Sequence, residues 1–372
     1  MRIVKLGNLV TVMNEREDNP SQSKYDHFVG LEHYDSGSVS ITRWGSTEML
    51  VSAMKVFHRG DILVARRNVY LKRASTVDFD GITSGDSIIL RVNDERYKAI
   101  VPFVLNTDSF WDYADQHSDG SMSKRLAPKT MLEYEFTLPD DEEVERLSTL
   151  LWAMERTKTA YTNLIAKTDE LVKLQFIEMF DASSDTVSLE KCCTKIYGGG
   201  TPSMKHPEYY GGNIPFVKSG DVKADRISEG SLWLTKNAIE KANARLVPAG
   251  SVIVVVRSAA LQHEFHAAIV EKPVVINQDI KSFIPKEDIL PEYLLWAIKS
   301  REDFLLDSVL TMLTSHIETK ILLDLPVKKA SQQAQCQWKV FLEQSDKSKF
   351  AAQQALADLT ATQKALMRQY LG

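Results

Sequence analysis

The chain has 372 residues, 44% of them hydrophobic, and a formal net charge of −5. That length and apolar content imply two or three domains with ample core and exclude a disordered chain. The acidic balance argues against a protein that grips nucleic acid strongly by itself.

No stretch approaches the roughly 18 apolar residues of a membrane span. The opening MRIVKLGNLVTVM lacks the apolar core of a signal peptide, so a cytoplasmic protein with no membrane contact is expected. Cys192 and Cys193 are adjacent and Cys336 is distant, which offers neither a disulfide framework nor a CxxC metal site.

In chain order, residues 1–138 read mostly as short strands. Ile62 to Ala65 and Ser87 to Val92 are apolar, rich in β-branched residues and bounded by Gly, Asn and Asp, with a helical patch at Asn106 to His117. Residues 139–183 then run without Gly beyond Pro139, behind an acidic opening at Asp140 to Glu143 that suits a helix N-terminus. Val144, Leu147, Leu151, Met154, Tyr161, Ile165, Val172 and Met179 keep one seam on one face, widened by Leu150, Leu164 and Leu171. This is one long helix, and a rod of that length with an apolar seam requires a partner rod.

Residues 184–326 return to short strands, at Val252 to Val256 and Val274 to Ile276, with a helical patch at Pro291 to Asp307. Residues 327–372 form the second rod. Its expected seam is Ala334, Trp338, Phe341, Ser345, Ser348, Ala352, Ala355, Leu359, Thr362 and Leu366. The first rod carries five cations against ten acids, the second seven against three. Opposite charge and matching stripes predict an antiparallel two-helix coiled coil between them.

The two halves repeat one another at an offset of about 183 to 193 residues. Val4 to Leu9 returns as Val187 to Cys192, Phe28-Val29 as Phe216-Val217, Gly60 to Arg67 as Gly250 to Arg257, and Ser84-Gly85-Asp86 as Asn277-Gln278-Asp279. Landmarks in one order signal a duplicated unit. The expected fold is α+β, with two pseudo-symmetric globular domains at opposite ends of the coiled coil.

Catalytic signatures are missing. Gly198-Gly199-Gly200-Thr201-Pro202-Ser203 lacks the Lys of a phosphate-binding loop, and no H-E-x-x-H, G-x-S-x-G or paired Cys-His set occurs. Asp221-Val222-Lys223 and Glu318-Thr319-Lys320 fit the D/E-x-K pattern of metal-dependent nucleases, but that pattern arises often by chance and has no upstream Pro-Asp partner here. No Asn-Pro-Pro-Tyr type amine-holding motif is present either.

The chain does offer loops rich in groups that contact DNA. Arg66, Arg67, Asn68, Tyr70, Lys72 and Arg73 follow a strand, and Arg257, Gln262 and His263 follow its repeat. Arg and Asn make bidentate contacts to guanine and adenine edges, and the remaining cations neutralise phosphates. Thr201, Ser203, Lys205, Lys218, Ser219, Lys223 and Arg226 gather upstream of the second loop. Each globular part nevertheless has two more acids than bases. Firm binding therefore requires partners that supply positive surface.

Residues 197–222, reading YGGGTPSMKHPEYYGGNIPFVKSGDV, continue through Leu234-Thr235, Ala244 to Gly250, Val256-Arg257 and Ile276 to Ile280. This constellation resembles a target-recognition domain of the DNA-specificity (S) subunit of type I restriction-modification enzymes. Val29 to Glu32, Gly60 to Arg67 and Ser84 to Asp86 resemble it more loosely, and Leu138 to Phe180 resembles that family's helical spacer. Ser258-Ala259-Ala260 departs from the glycines that many members carry there.

The resemblance implies a non-catalytic subunit with a first target-recognition domain at 1–138, a central helix at 139–183, a second recognition domain at 184–326 and a pairing helix at 327–372. It implies double-stranded DNA as ligand, two modification (methyltransferase) subunits as partners, and restriction (motor-nuclease) subunits in the full complex. It places S-adenosylmethionine, ATP and Mg²⁺ in those partners, with no cofactor or metal in this chain. The competing reading from the residues is a helical interaction scaffold without base readout.

Overall fold

The computed structural model describes residues 2–120, 123–181, 184–242, 244–311 and 316–372. The chain forms two compact units, Met1–Leu164 with Ala352–Gly372, and Ile165–Ala351. Two helices of 40 residues each, Asp141–Phe180 and Gln332–Leu371, contribute to both.

In the first unit, Arg2–Lys5 pairs antiparallel with Glu135–Leu138. A four-stranded sheet runs in the order Val10–Met13, Ser87–Val92, Ile62–Ala65, Ala74–Thr76. A second sheet runs Arg16–Glu17, Met54–Phe57, Gly81–Thr83, Phe28–Val29, with the last pair parallel. Ile62–Ala65 is buried throughout, because one side chain row feeds the core with Leu6, Phe103 and Phe110 and the other feeds that with Val29, Phe57 and Ile89.

The second unit repeats most of this plan, with Leu246–Val247 in the place of Met54–Phe57 and no counterpart of Arg16–Glu17. Thr186–Ser188 pairs with Pro326–Lys328, and Cys193–Gly198, Ile280–Pro285, Val252–Val255 and Ala267–Val270 follow in the order of the first four-stranded sheet. Tyr210–Val217 and Val274–Ile276 form the parallel pair equivalent to Phe28–Val29 and Gly81–Thr83. Arg226–Ile227 and Leu232–Leu234 are additions.

Matching backbone bonds set the equivalence residue by residue. Leu6 donates to the Tyr134 carbonyl at 2.8 Å and Leu189 to that of Leu325 at 2.9 Å. Gly60 donates to Val77 and Gly250 to Val270, each at 2.8 Å. Both glycines turn the chain into the central strand at φ +89° and +81°, a region that costs other residues. The duplication expected from the repeated landmarks is therefore present in the hydrogen bonding itself.

The helical expectations hold with corrections. The patch at Asn106 to His117 is a helix at Asp108–Gln116, but Pro291 to Asp307 is two helices, Pro291–Lys299 and Glu302–Thr311, broken at Ser300-Arg301. Ala182 and Ser183, at the end of the expected first rod, lie outside the described residues.

The first rod's seam is buried at Val144, Leu147, Leu151, Met154 and Val172, and half-buried at Tyr161, Ile165 and Met179. Leu150, Leu164 and Leu171 do not widen it, because all three face solvent. Phe176 and Phe180, absent from the expected seam, are buried in the second unit against Tyr293 and Trp338.

On the second rod, Trp338 and Ala352 are buried as expected, and Phe341, Leu359 and Leu366 are half-buried. Alternate members are displaced by one residue: Leu342, Gln363 and Met367 occupy the buried positions expected for Phe341, Thr362 and Leu366, while Ser348 and Thr362 are exposed. After Trp338 the buried seam steps four residues to Leu342, not three to Phe341. A polar residue, Gln363, hid the true phase.

Within the first unit Leu151, Glu155 and Lys158 meet Gln363, and within the second Asp169 meets Lys349 at 2.7 Å. In each unit the two helical segments therefore run antiparallel. Among the described residues, no helix is long and apolar enough to cross a membrane.

Candidate nucleic-acid interface

The central strand of each unit ends at an arginine, and each arginine is bridged by an incoming loop. Arg67 forms an isolated antiparallel bridge with Arg125, and Arg257 forms the same bridge with His316. Leu126 donates to the Arg66 carbonyl at 2.9 Å, and Ile317 to the Val256 carbonyl at 2.8 Å. From the other side, Arg66 and Val256 donate to the carbonyls of Asp86 and Asp279, at 2.9 and 2.8 Å. Three segments thus converge identically in both units, with the loop residue three positions ahead of a short helix, Pro128–Leu132 or Thr319–Leu323.

Each convergence floors an open groove. The first, of about 400 Å³, is lined by Arg66, Arg67, Ser123 and Arg125, with Asp119 at its rim. The second, of about 440 Å³, is lined by Arg257, Gln278, Lys281, His316 and Lys320, with Glu318. Guanidinium, amide and imidazole groups set at an open groove suit the edges and phosphates of a nucleic acid. Among the described residues, no group of three His, Cys, Asp or Glu side chains is placed to hold a metal ion.

The first loop divides into groups held at the groove and groups tied down. Arg67 donates from Nε to Ser123 at 2.9 Å and lies 3.6 Å from Asp86, which also faces Arg125 at 3.7 Å. Asn68 adopts the left-handed region, as Asn tolerates, and Tyr70 stands exposed. Lys72 is paired with Asp108 at 2.7 Å. Arg73 donates to the carbonyls of Leu31 and Arg67 at 2.9 and 3.1 Å, and burial lowers its pKa. Arg73 therefore braces the loop from behind.

In the second unit Thr201 bonds Gln278, which links the glycine-rich segment to the Arg257 groove. Gly199 has no room for a side chain, since a Cβ would fall 2.1 Å from the Ile276 carbonyl oxygen. Thr201 and Ser203 also line a separate groove with His206, Lys241 and Arg245. Lys205, Lys223, Gln262 and His263 are exposed, while Lys218 and Ser219 are half-buried in a turn that Asp221 closes by accepting the Lys218 N–H at 2.8 Å. Arg226 is not at either groove. It pairs with buried Glu292 at 3.1 Å, a bond within the fold.

Arg125, Lys281 and His316 carry no sequence signal of a site, while Gln278 stands in a repeat landmark and Lys320 in a D/E-x-K triplet. Arg125 and His316 each precede a helix start by three residues, after loops of no visible pattern.

A family model described as the type I restriction modification DNA specificity domain matches residues 184–357. The specificity domain thus covers the groove at Arg257 and His316. The chain is also 30% identical over 233 residues to the specificity subunit of the Escherichia coli type I restriction enzyme EcoR124I/EcoR124II, a match spanning 60% of this chain and 57% of that protein. It is 31% identical over 110 residues to the MjaIX specificity subunit of Methanocaldococcus jannaschii, across 29% of this chain and 24% of that one. The matches thus span little more than half, and about a quarter, of these relatives' lengths.

Among solved structures, the fold resembles a chain from a study of complex assembly and conformational transition of the type I R-M system, with TM-score 0.59, 18% identity, and 99% and 97% of the two chains covered. It also resembles the type I restriction-modification S subunit from M. genitalium, with TM-score 0.56, 11% identity, and 100% and 96% covered. These likenesses support the mixed α+β fold.

Proposed function

We propose that this chain is the DNA-specificity subunit of a type I restriction-modification complex, and that it reads a bipartite site without performing chemistry itself. The observation that carries the reading is the duplicated bridge: Arg67 with Arg125, and Arg257 with His316, at equivalent strand ends above open grooves. Residues 1–138 and 184–326 act as the two target-recognition domains, one half-site each. Arg66, Arg67, Asn68, Tyr70, Arg125, Thr201, Ser203, Arg257 and His316 are the groups that meet DNA. Arg73 and Arg226 are held by bonds within the fold, and Lys72 is paired with Asp108 at the surface.

Two modification subunits dock on the chain and, through them, restriction subunits. S-adenosylmethionine, ATP and Mg²⁺ belong to those partners, and the assembly works in the cytoplasm. The test is to assemble the chain with the modification subunit encoded beside it and to map methylated bases on genomic DNA. A discontinuous methylated motif that changes when Arg257 is replaced supports the reading. Methylation indifferent to this chain, or unaltered by changes at both grooves, would mark it as a scaffold without base readout.

A further inference from the structure

The two grooves differ at one position that the duplication makes directly comparable. Where the second unit has Val256, buried, the first has Arg66. The Arg66 Nε is buried and has no hydrogen-bond partner among the described residues, an expensive state for a cation.

The surroundings make it worse. Arg16 and Lys55 face each other directly across an antiparallel strand pair, a like-charge arrangement that destabilises a sheet. Lys55 turns its ammonium to the Ser87 carbonyl at 2.8 Å, next to the Asp86 residue that receives the Arg66 N–H. Burial first, and then Arg66 and Arg16, hold the Lys55 pKa below its ordinary value. Asp119 is the acid among the groove's lining residues, and Asp86 is shared between Arg67 and Arg125.

Concentrated positive charge with an unsatisfied buried donor is the state expected of a site whose counter-ion arrives with its ligand. We infer that the first groove seats a phosphate of the DNA backbone on Arg66, beside Arg67 and Arg125, a contact that buried Val256 cannot make at the equivalent place in the second. The inference rests on the DNA-reading function proposed above and adds a difference between the two units to it. The first unit thus makes a backbone contact at a place where the second carries buried Val256.

The experiment uses the chain assembled with its modification subunits, unaltered and as Arg66→Val, the residue that the second unit carries at this place, with Arg66→Gln should the valine variant fail to fold. Binding to a site-bearing duplex and to a random duplex is titrated against salt. The variant is expected to flatten the slope of log K against log salt by about 0.9, one phosphate's worth, and to weaken both duplexes equally. An unchanged slope, or a loss confined to the site-bearing duplex, overturns the phosphate seat.

Pyrophosphate, used alone, separates this from the wider reading. It should raise the thermal midpoint of the unaltered chain and not that of the variant. Equal responses, or none from the unaltered chain, overturn the seat. An assembled complex that binds neither duplex, while the chain still responds to pyrophosphate through Arg66, keeps the seat and loses the DNA-reading function.

Discussion

Gln363 donates from Nε2 to the Glu155 carboxylate at 3.1 Å, inside the seam where the two long helices meet in the first unit. Lys158 completes the cluster, 2.8 Å from the same carboxylate oxygen and 2.9 Å from the Gln363 amide oxygen. Glu155 and Gln363 are both buried. A polar cluster of this kind fixes register, because sliding either helix by a turn would bury its members without partners. Gln363→Ala is expected to lower stability by about 2 to 3 kcal/mol, seen as a fall in the urea midpoint. Replacing Glu155, Lys158 and Gln363 together by Leu should cost far less, since no buried charge is left alone.

Arg226 is predicted to matter for stability rather than for recognition. Its partner Glu292 is almost wholly buried and also meets Lys339 at 3.2 Å. Burial pushes the Glu292 carboxyl up, but its own backbone bond, Arg226 and Lys339 together bring it below the usual carboxylate value. A carboxyl lowered in the fold adds stability above its unfolded pKa, and that stability is lost as pH falls through the folded value. Arg226→Ala should therefore destabilise by about 2 kcal/mol at neutral pH and move acid unfolding to higher pH, with the methylated motif unaltered.

Asp346 carries the opposite sign. Burial raises its pKa, against Lys349, and nearby Asp225 adds to the rise. A raised carboxyl favours the folded state below its unfolded pKa, and that contribution disappears as pH rises through the folded value. Asp346→Asn is expected to raise the thermal midpoint at neutral pH and to make no difference below about pH 3.9, where the unfolded aspartate is also protonated. A midpoint that falls at neutral pH would show that the ion pairs around Asp346 outweigh its burial.

Arg67→Ala and Arg257→Ala should each relax one half-site and leave the other intact, by about 1 to 3 kcal/mol if the lost contact is bidentate. Arg125→Ala and His316→Ala should act on the same half-sites as their bridge partners. Methylation profiling with the assembled modification subunits reads all four. A uniform loss across sequences would instead assign these residues to the backbone.

Trp338 anchors the second unit. It is fully buried, its indole N–H donates to the Glu292 carbonyl at 3.3 Å, and its ring meets Phe176, Phe180, Trp296 and Phe341. Trp338→Ala should cost about 3 to 5 kcal/mol, measurable by urea unfolding.

The strands, the duplication and the long helices were legible because each rests on local pattern: β-branched runs, repeated Gly-x-Ile/Val landmarks and apolar spacing. Arg67 and Arg257 were legible for the same reason, standing at the ends of recognisable strands. Arg125 and His316 were not, because they reach the grooves through loops whose course depends on backbone bonds to Arg66 and Val256. The helix seam was misphased where Gln363 is buried, since a polar side chain looks like surface until its partners Glu155 and Lys158 are seen. Arg226 looked like a DNA contact because sequence shows a charge without showing Glu292 beneath it.

The first unit's core includes Met367 and Leu371, packed with Leu147 and Leu151. During translation these side chains leave the ribosome after every residue of the second unit. The first unit's apolar core is therefore completed by a segment made after the whole of the second unit, and removal of Ala352–Gly372 would uncover Leu147 and Leu151.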